Sequence, residues 1–327
     1  MSRALLNCLT PNPDLPSWRI RHLQAREALA ALGWRTTSAR MEPVGQSLPR
    51  LLGKRLRRES CMIYKGMIPG WLHRRMRLSG TRVVLDFDDL VTHSVFGERV
   101  PNQQKAFDRA VGLARGAVCG NEFLASQLPD RLPRIVLPSP VPHEVPQHQV
   151  RRDGRPLRLG WVGLPTNFVH LERIVPQLLE VHRRHPFRMV VISSERPNLE
   201  GLDLEYQPWS SETQEACIAN LDIGLMPLDH GSIYSRGKCS YKALQYMAAG
   251  VPAVASRVGM NEQVIEPGID GVLCEESEWV DALSTLIMSP ERRAAIGVAG
   301  RARVLSRYTY PTYVQALAAF LDELHAA

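Results

Sequence analysis

The chain has 327 residues, 44% of them hydrophobic and 22% charged, with a formal net charge of +7. This is the composition of a soluble globular protein with material for two cores; it excludes extended disorder, and no apolar run approaches the ~18–20 residues of a membrane-spanning helix. The start, MSRALLNCLTPNPD, has too short an apolar core for a signal peptide, so a cytoplasmic location is expected.

Strand and helix periods alternate from the first residues. Residues 5–9 read as a strand, 18–32 as a helix ending at Gly33, and 35–38 and 61–65 as strands. A basic helix at 70–78, a strongly β run at 82–87, a helix opened by Pro101, and a strand, helix and strand through 137 complete the first half. Residues 138–156 hold five prolines without periodicity, the mark of an extended linker, which places the domain boundary at 150/151. Beyond it the alternation restarts: strand 157–162, helix 168–184, strand 187–193, helix 212–220, then a strand–helix–strand unit from Asp222 to Ser256. A strand at 271–274 and helices at 279–288, 290–306 and 311–324 close the chain. Repeated strand–helix alternation predicts α/β architecture, with two parallel, doubly wound sheets.

Charge and cysteine narrow the chemistry. The first 150 residues carry 22 Lys/Arg against 12 Asp/Glu, the remainder 18 against 21. The excess sits at 50–58 and 73–77, interleaved with apolar residues. Such segments suit an anionic membrane surface or a phosphorylated acceptor, and equally a solvated helix face. Nucleic acid is not expected, because no aromatic-rich surface or known motif accompanies the charge. The six cysteines, Cys8, Cys61, Cys119, Cys217, Cys239 and Cys274, form no CxxC and read as buried thiols in a reducing compartment.

Three stretches carry candidate chemistry. In 222–256, Arg236, Lys238 and Lys242 collect at the start of a helix predicted over 239–249. Unpaired N–H groups and a partial positive charge at such an end favour a diphosphate, with simple solvation as the alternative. In 160–167, Gly163 lets the backbone approach a phosphate while Thr166 or Asn167 caps the next helix; a plain tight turn is the alternative. Asp86, Asp88 and Asp89 close a hydrophobic strand and admit three readings: a divalent metal site, a haloacid-dehalogenase-type phosphatase motif, or capping of the next element.

The segment KALQYMAAGVP at 242–252, followed by Val254-Ala-Ser256, the Gly259 turn and EPGIDG at 266–271, resembles the retaining, nucleotide-sugar-dependent glycosyltransferases of the GT-B fold, family 4. The resemblance implies two Rossmann-like domains facing a cleft, with C-terminal helices packing back toward the first. Residues 1–150 would form the acceptor-side domain and 151–327 the nucleotide-sugar domain. Lys242, with Arg236 or Lys238, would neutralise the leaving diphosphate, and Gly163 would lie beneath it. Asp88 falls where many members place a histidine near the transferred sugar, and Arg19 would be a candidate phosphate or acceptor contact. Two glutamates eight positions apart are common in the family; here Gly237 and Gln245 stand in their places, leaving Gln245 to hydrogen-bond a ribose hydroxyl. The resemblance further implies a nucleoside-diphosphate sugar as co-substrate, no other cofactor and no required metal. Its acceptor would be a carbohydrate, lipid-linked or phosphorylated, and the charge of the basic first half points to peripheral contact with an anionic membrane at its inner face. The missing glutamates keep a second reading open, a scaffold that binds sugar, nucleotide or a partner without turnover.

Overall fold

The computed structural model describes residues 5–41, 60–148 and 154–326; the basic run at 50–58 lies outside them. Among the described residues twelve strands pair in parallel into two six-stranded sheets. The first sheet has the order β2-β1-β3-β4-β5-β6, built from Leu5–Thr10 (β1), Arg35–Arg40 (β2), Ser60–Tyr64 (β3), Arg82–Phe87 (β4), Ala114–Cys119 (β5) and Arg134–Val136 (β6). The second has the order β12-β11-β10-β7-β8-β9, from Leu157–Val162 (β7), Phe187–Ser193 (β8), Leu204–Pro208 (β9), Ile223–Met226 (β10), Ala253–Ser256 (β11) and Val272–Cys274 (β12). Central strands such as β3, β10 and β11 are buried along their whole length, which is why they read as unbroken apolar runs rather than alternations. Strand β9, LEYQP, was not expected; it is an edge strand that buries no residue fully, so its sequence lacks that signal.

By its contacts the chain divides into two compact units, Met1–Pro140 with Gly237–Cys239 and Tyr310–Ala327, and Val141–Arg236 with Ser240–Thr309. The boundary read from the prolines, 150/151, falls inside the second unit. Residues 141–148 are not a free linker: Val141 N–H donates to Tyr308 O and His148 N–H to Ala249 O, both within the second unit. The last helix, Tyr310–Ala326, belongs to the first unit and buries Tyr313, Val314, Leu317, Phe320 and Leu321 in its core. Each such side chain is worth roughly 1.5–3 kcal/mol. In the second unit Trp161, Leu178, Val191, Leu225 and Trp279 anchor a separate core.

The helix expected over 18–32 is broken, with a π-helical turn at Arg19–Leu23 followed by Arg26–Ala31. The wide turn directs Arg21 and His22 into the interior. His22 lies beside Trp18 and Tyr64, at ring-centroid distances of 4.2 and 5.5 Å, with Nε2 2.7 Å from Ser38 Oγ. Burial, with Arg26 adding repulsion, lowers its pKa to about 4. The unfolded chain takes up this proton near pH 6.5 and the folded chain only near 4. The stability contributed by the neutral ring is therefore complete above pH 6.5 and lost as pH falls toward 4. His22→Asn should flatten that loss by up to roughly 3 kcal/mol, read by urea unfolding of both proteins at neutral and acidic pH. A stability difference independent of pH would refute it.

Candidate functional site

In open parallel sheets ligands bind beyond the carboxyl ends of the strands, where the strand order reverses. In the second unit that point lies between β7 and β10, which pair only at Ile223↔Leu159 and Gly224↔Gly160 before they part. Tyr246 closes the gap: its hydroxyl accepts from Val162 N–H (3.1 Å) and donates to Leu225 O (3.2 Å). Gly224 makes room for its ring, since a Cβ there would lie 2.2 Å from the ring carbon Cγ. Tyr246 thereby seats the helix Tyr241–Ala248 with its N-terminus at the switch point.

That N-terminus is held by a buried polar chain. Ser240, the N-cap, adopts φ 52° and donates from Oγ to Asn261 Oδ1 at 2.7 Å. Asn261 Nδ2 donates to Ser256 O, and Ser256 Oγ donates to Leu228 O and accepts from Leu228 N–H. Left-handed backbone at a residue other than glycine costs on the order of 1–3 kcal/mol and concentrates at functional sites. Among the described residues only Ser240 and Lys65 show it.

Lys242 in the first turn of this helix lies over the strand end at Gly163. A Cβ at Gly163 would meet Lys242 Cε at 2.9 Å and Trp161 Cη2 at 2.6 Å, so only glycine lets the lysine occupy that place. The Lys242 amine is 5.3 Å from the centroid of the Trp161 ring, a cation–π contact that orients it. Arg236 ends the short helix Ile233–Arg236, exposed, with its backbone packed against the Gly259 turn. Thr166 is exposed in the 3₁₀ turn Pro165–Asn167, and neither it nor Asn167 caps the following helix. Gln245 lines a small pocket with Val145, Glu215, Ile218 and Ala248.

The first unit has a second charged centre, at the ends of β3 and β4. Lys65, with φ 63°, follows β3 directly and places Nζ 2.7 Å from Asp88 Oδ1 and 2.9 Å from Asp89 Oδ2. Lys238 Nζ reaches Asp89 Oδ1 at 3.0 Å. Burial opposes charge on Asp89, but Lys238 and Lys65 together hold its carboxyl well below the ordinary range. Burial likewise opposes charge on Lys65, and the two aspartates outweigh it and raise its pKa. Asp86 points the other way, into the core, 2.7 Å from Arg21 Nε. Arg21 also donates to Leu137 O, and Asp86 is 1% exposed. Burial raises the Asp86 carboxyl to about 6 in spite of Arg21.

The three carboxylates therefore do not converge. A phosphatase nucleophile at Asp86 is incompatible with its burial, and Asp88 and Asp89 are engaged by lysines rather than gathered around one point with Asp86. Lys238, expected as the alternative to Arg236 beside Lys242 at a diphosphate, forms an ion pair with Asp89. Sequence reasoning missed Lys65 and Arg21, lone cations with no motif around them; a Lys-Gly pair directly after a buried strand was the available signal for the first. Arg19 is half-buried in the π-helical turn.

Gly237 also acquires a reason. A Cβ there would lie 2.7 Å from Leu90 Cβ and 3.0 Å from Leu90 N, too close for any side chain. Gly237→Glu should destabilise the first unit by about 1–3 kcal/mol, the usual cost of overpacking, as a lowered urea midpoint. A neutral result would show that Leu90 yields.

Residues 158–289 match the family described as Glycosyl transferases group 1. No curated protein matches the sequence. The fold is that of solved GT-B glycosyltransferases. Sucrose-phosphate synthase from Thermosynechococcus elongatus aligns with a TM-score of 0.77 at 13% identity, over 99% of this chain and 100% of that one. Anabaena HepE in complex with UDP-glucose gives 0.72 at 12% identity, over 98% and 100%. A glycosyltransferase from Rickettsia africae gives 0.71 at 10% identity, over 99% and 99%.

Proposed function

We propose that this chain, with its GT-B fold and its group 1 glycosyl transferase match over 158–289, transfers a sugar with retention from a nucleoside diphosphate to a carbohydrate or lipid-linked acceptor. The observation that carries the reading is Lys242 packed on Gly163 at the N-terminus of Tyr241–Ala248, at the reversal of strand order. A UDP-glucose complex of HepE, which shares the fold, supports a nucleotide-sugar donor.

The bond from the anomeric carbon to the diphosphate oxygen breaks, and the leaving oxygen gains charge. Lys242, the helix N–H groups and Arg236 stabilise that charge in place of water. The acceptor hydroxyl attacks on the same face and passes its proton to the departing phosphate, so no protein nucleophile is called for. On the acceptor side, Asp88 accepts a hydrogen bond from a sugar hydroxyl, its carboxylate fixed by Lys65. The basic helix Gly70–Ser79, with Arg74 and Arg77 exposed, suits an acceptor at an anionic surface.

The test is calorimetric titration of the protein with nucleoside diphosphates, followed by transfer assays with the tightest binder's sugar nucleotides. Binding with turnover supports the enzyme, and no binding of any diphosphate overturns it. The absence of both family glutamates, with Leu90 filling the space at Gly237, favours one second reading: binding without turnover, which identifies a non-catalytic scaffold.

A further inference from the structure

The opposite edge of the first sheet, where the strands begin, holds a cationic depression that the proposed reaction does not use. Arg82 opens β4, Arg115 is the second residue of β5, and Arg131 lies in the loop leading to β6. All three line an open cavity of about 430 Å³, whose remaining wall includes Val111, Leu132 and Leu324. Among the described residues no carboxylate lines it, and the nearby Asp130 is paired 3.5 Å from Arg134. Arg82 is steadied by His325, donating from Nη1 to the carbonyl oxygen at 3.2 Å. The side chains of Arg115 and Arg131 are exposed and form no hydrogen bond or ion pair among the described residues.

Three guanidinium groups around one depression, without a counter-charge among the described residues, repel one another until an anion joins them. Guanidinium forks match phosphate oxygens in bidentate geometry, and three cations exceed what one carboxylate neutralises. The apolar wall adds a place for carbon atoms next to the charge. Leu78, four residues before Arg82 at the end of Gly70–Ser79, is 90% exposed, with Arg77 exposed beside it.

We propose that this depression binds the phosphate group of an amphiphilic phosphate ester, with Arg82, Arg115 and Arg131 as its ligands. The inference is independent of the donor reading, since its residues all belong to the first unit and its edge is the one away from Lys65 and Asp88.

The experiment compares the full chain with Arg115→Gln/Arg131→Gln, both at exposed positions, with folding of each variant checked by urea unfolding. A charge-matched control, Arg196→Gln/Arg292→Gln, removes two exposed arginines of the second unit. Two probes are used: inorganic phosphate in a thermal-shift titration, and sedimentation with vesicles of phosphatidylcholine and phosphatidylglycerol mixed three to one. For vesicles the double variant should bind roughly thirtyfold more weakly, with the control weakened far less. Loss confined to the vesicle arm assigns the site to a lipid headgroup, and loss of the phosphate shift assigns it to a free phosphate ester. The proposal is overturned if wild type binds neither probe, if the double variant matches wild type, or if the control loses as much as the double variant.

Discussion

Lys242→Ala is expected to reduce sugar transfer by roughly 10²–10³-fold, the usual effect of removing one preorganised group that stabilises developing charge. The amine is held by contacts that survive substrate exchange: Cε lies against Gly163 and Nζ over the Trp161 ring. Loss of that cation–π contact costs about 0.5–2 kcal/mol of stability, too little to unfold the second unit. The rate loss would therefore appear in a protein that still melts cooperatively. Because charge on the departing oxygen exceeds that in the bound donor, the effect should fall more on kcat than on KM. Gly163→Ala provides an orthogonal probe, since its Cβ contests the space of Lys242 without removing the charge. An alanine variant with wild-type kcat would remove Lys242 from the reaction.

Arg21→Met is expected to destabilise the first unit by about 3–5 kcal/mol at neutral pH, because Asp86 must then either lie uncompensated in the core or take up a proton well above its unfolded pKa. The effect should shrink in acid. Asp86 already titrates near 6 with Arg21 present; a carboxyl whose pKa is raised by folding contributes most below its unfolded value near 3.8, and that contribution is lost as pH rises through the folded value. Without Arg21 the group stays protonated to higher pH, so the penalty grows from mildly acidic to mildly basic buffer. Urea unfolding at both ends of that range measures it, and Arg21→Met/Asp86→Leu should recover much of the loss by removing both charges. An equal penalty at every pH would show that lost packing, not a stranded charge, is responsible.

The α/β class was legible because short apolar runs and helical spacing recur along the chain, and buried strands such as Ser60–Tyr64 and Ile223–Met226 have no polar residue in their interior. Strand Leu204–Pro208 was not legible, since an edge strand with no fully buried residue shows neither pattern. The helix expected over 168–184 divides into Phe168–Glu172 and Val175–Arg184, with Pro176 in the first turn of the second piece. Of the candidate site, Lys242 and Gly163 were identifiable because glycine at a strand end and lysine at a helix start each state a local requirement. Lys65 and Arg21 were not, because their roles depend on carboxylates that lie 23 and 65 residues away.

The sequence by itself determined the α/β class, most of the elements and their parallel pairing, and it singled out the helix start at Lys242 as a candidate anion site. These follow from periodicity, turn chemistry and residue type, which are local. Only the tertiary structure decided how the three aspartates are shared: Asp86 with buried Arg21, and Asp88 and Asp89 with Lys65 and Lys238. It likewise decided that Lys238 pairs with Asp89 and that Leu90 denies Gly237 a side chain. Ion pairing and steric exclusion act between residues distant in the chain, and distance in space is set only when the sheets assemble.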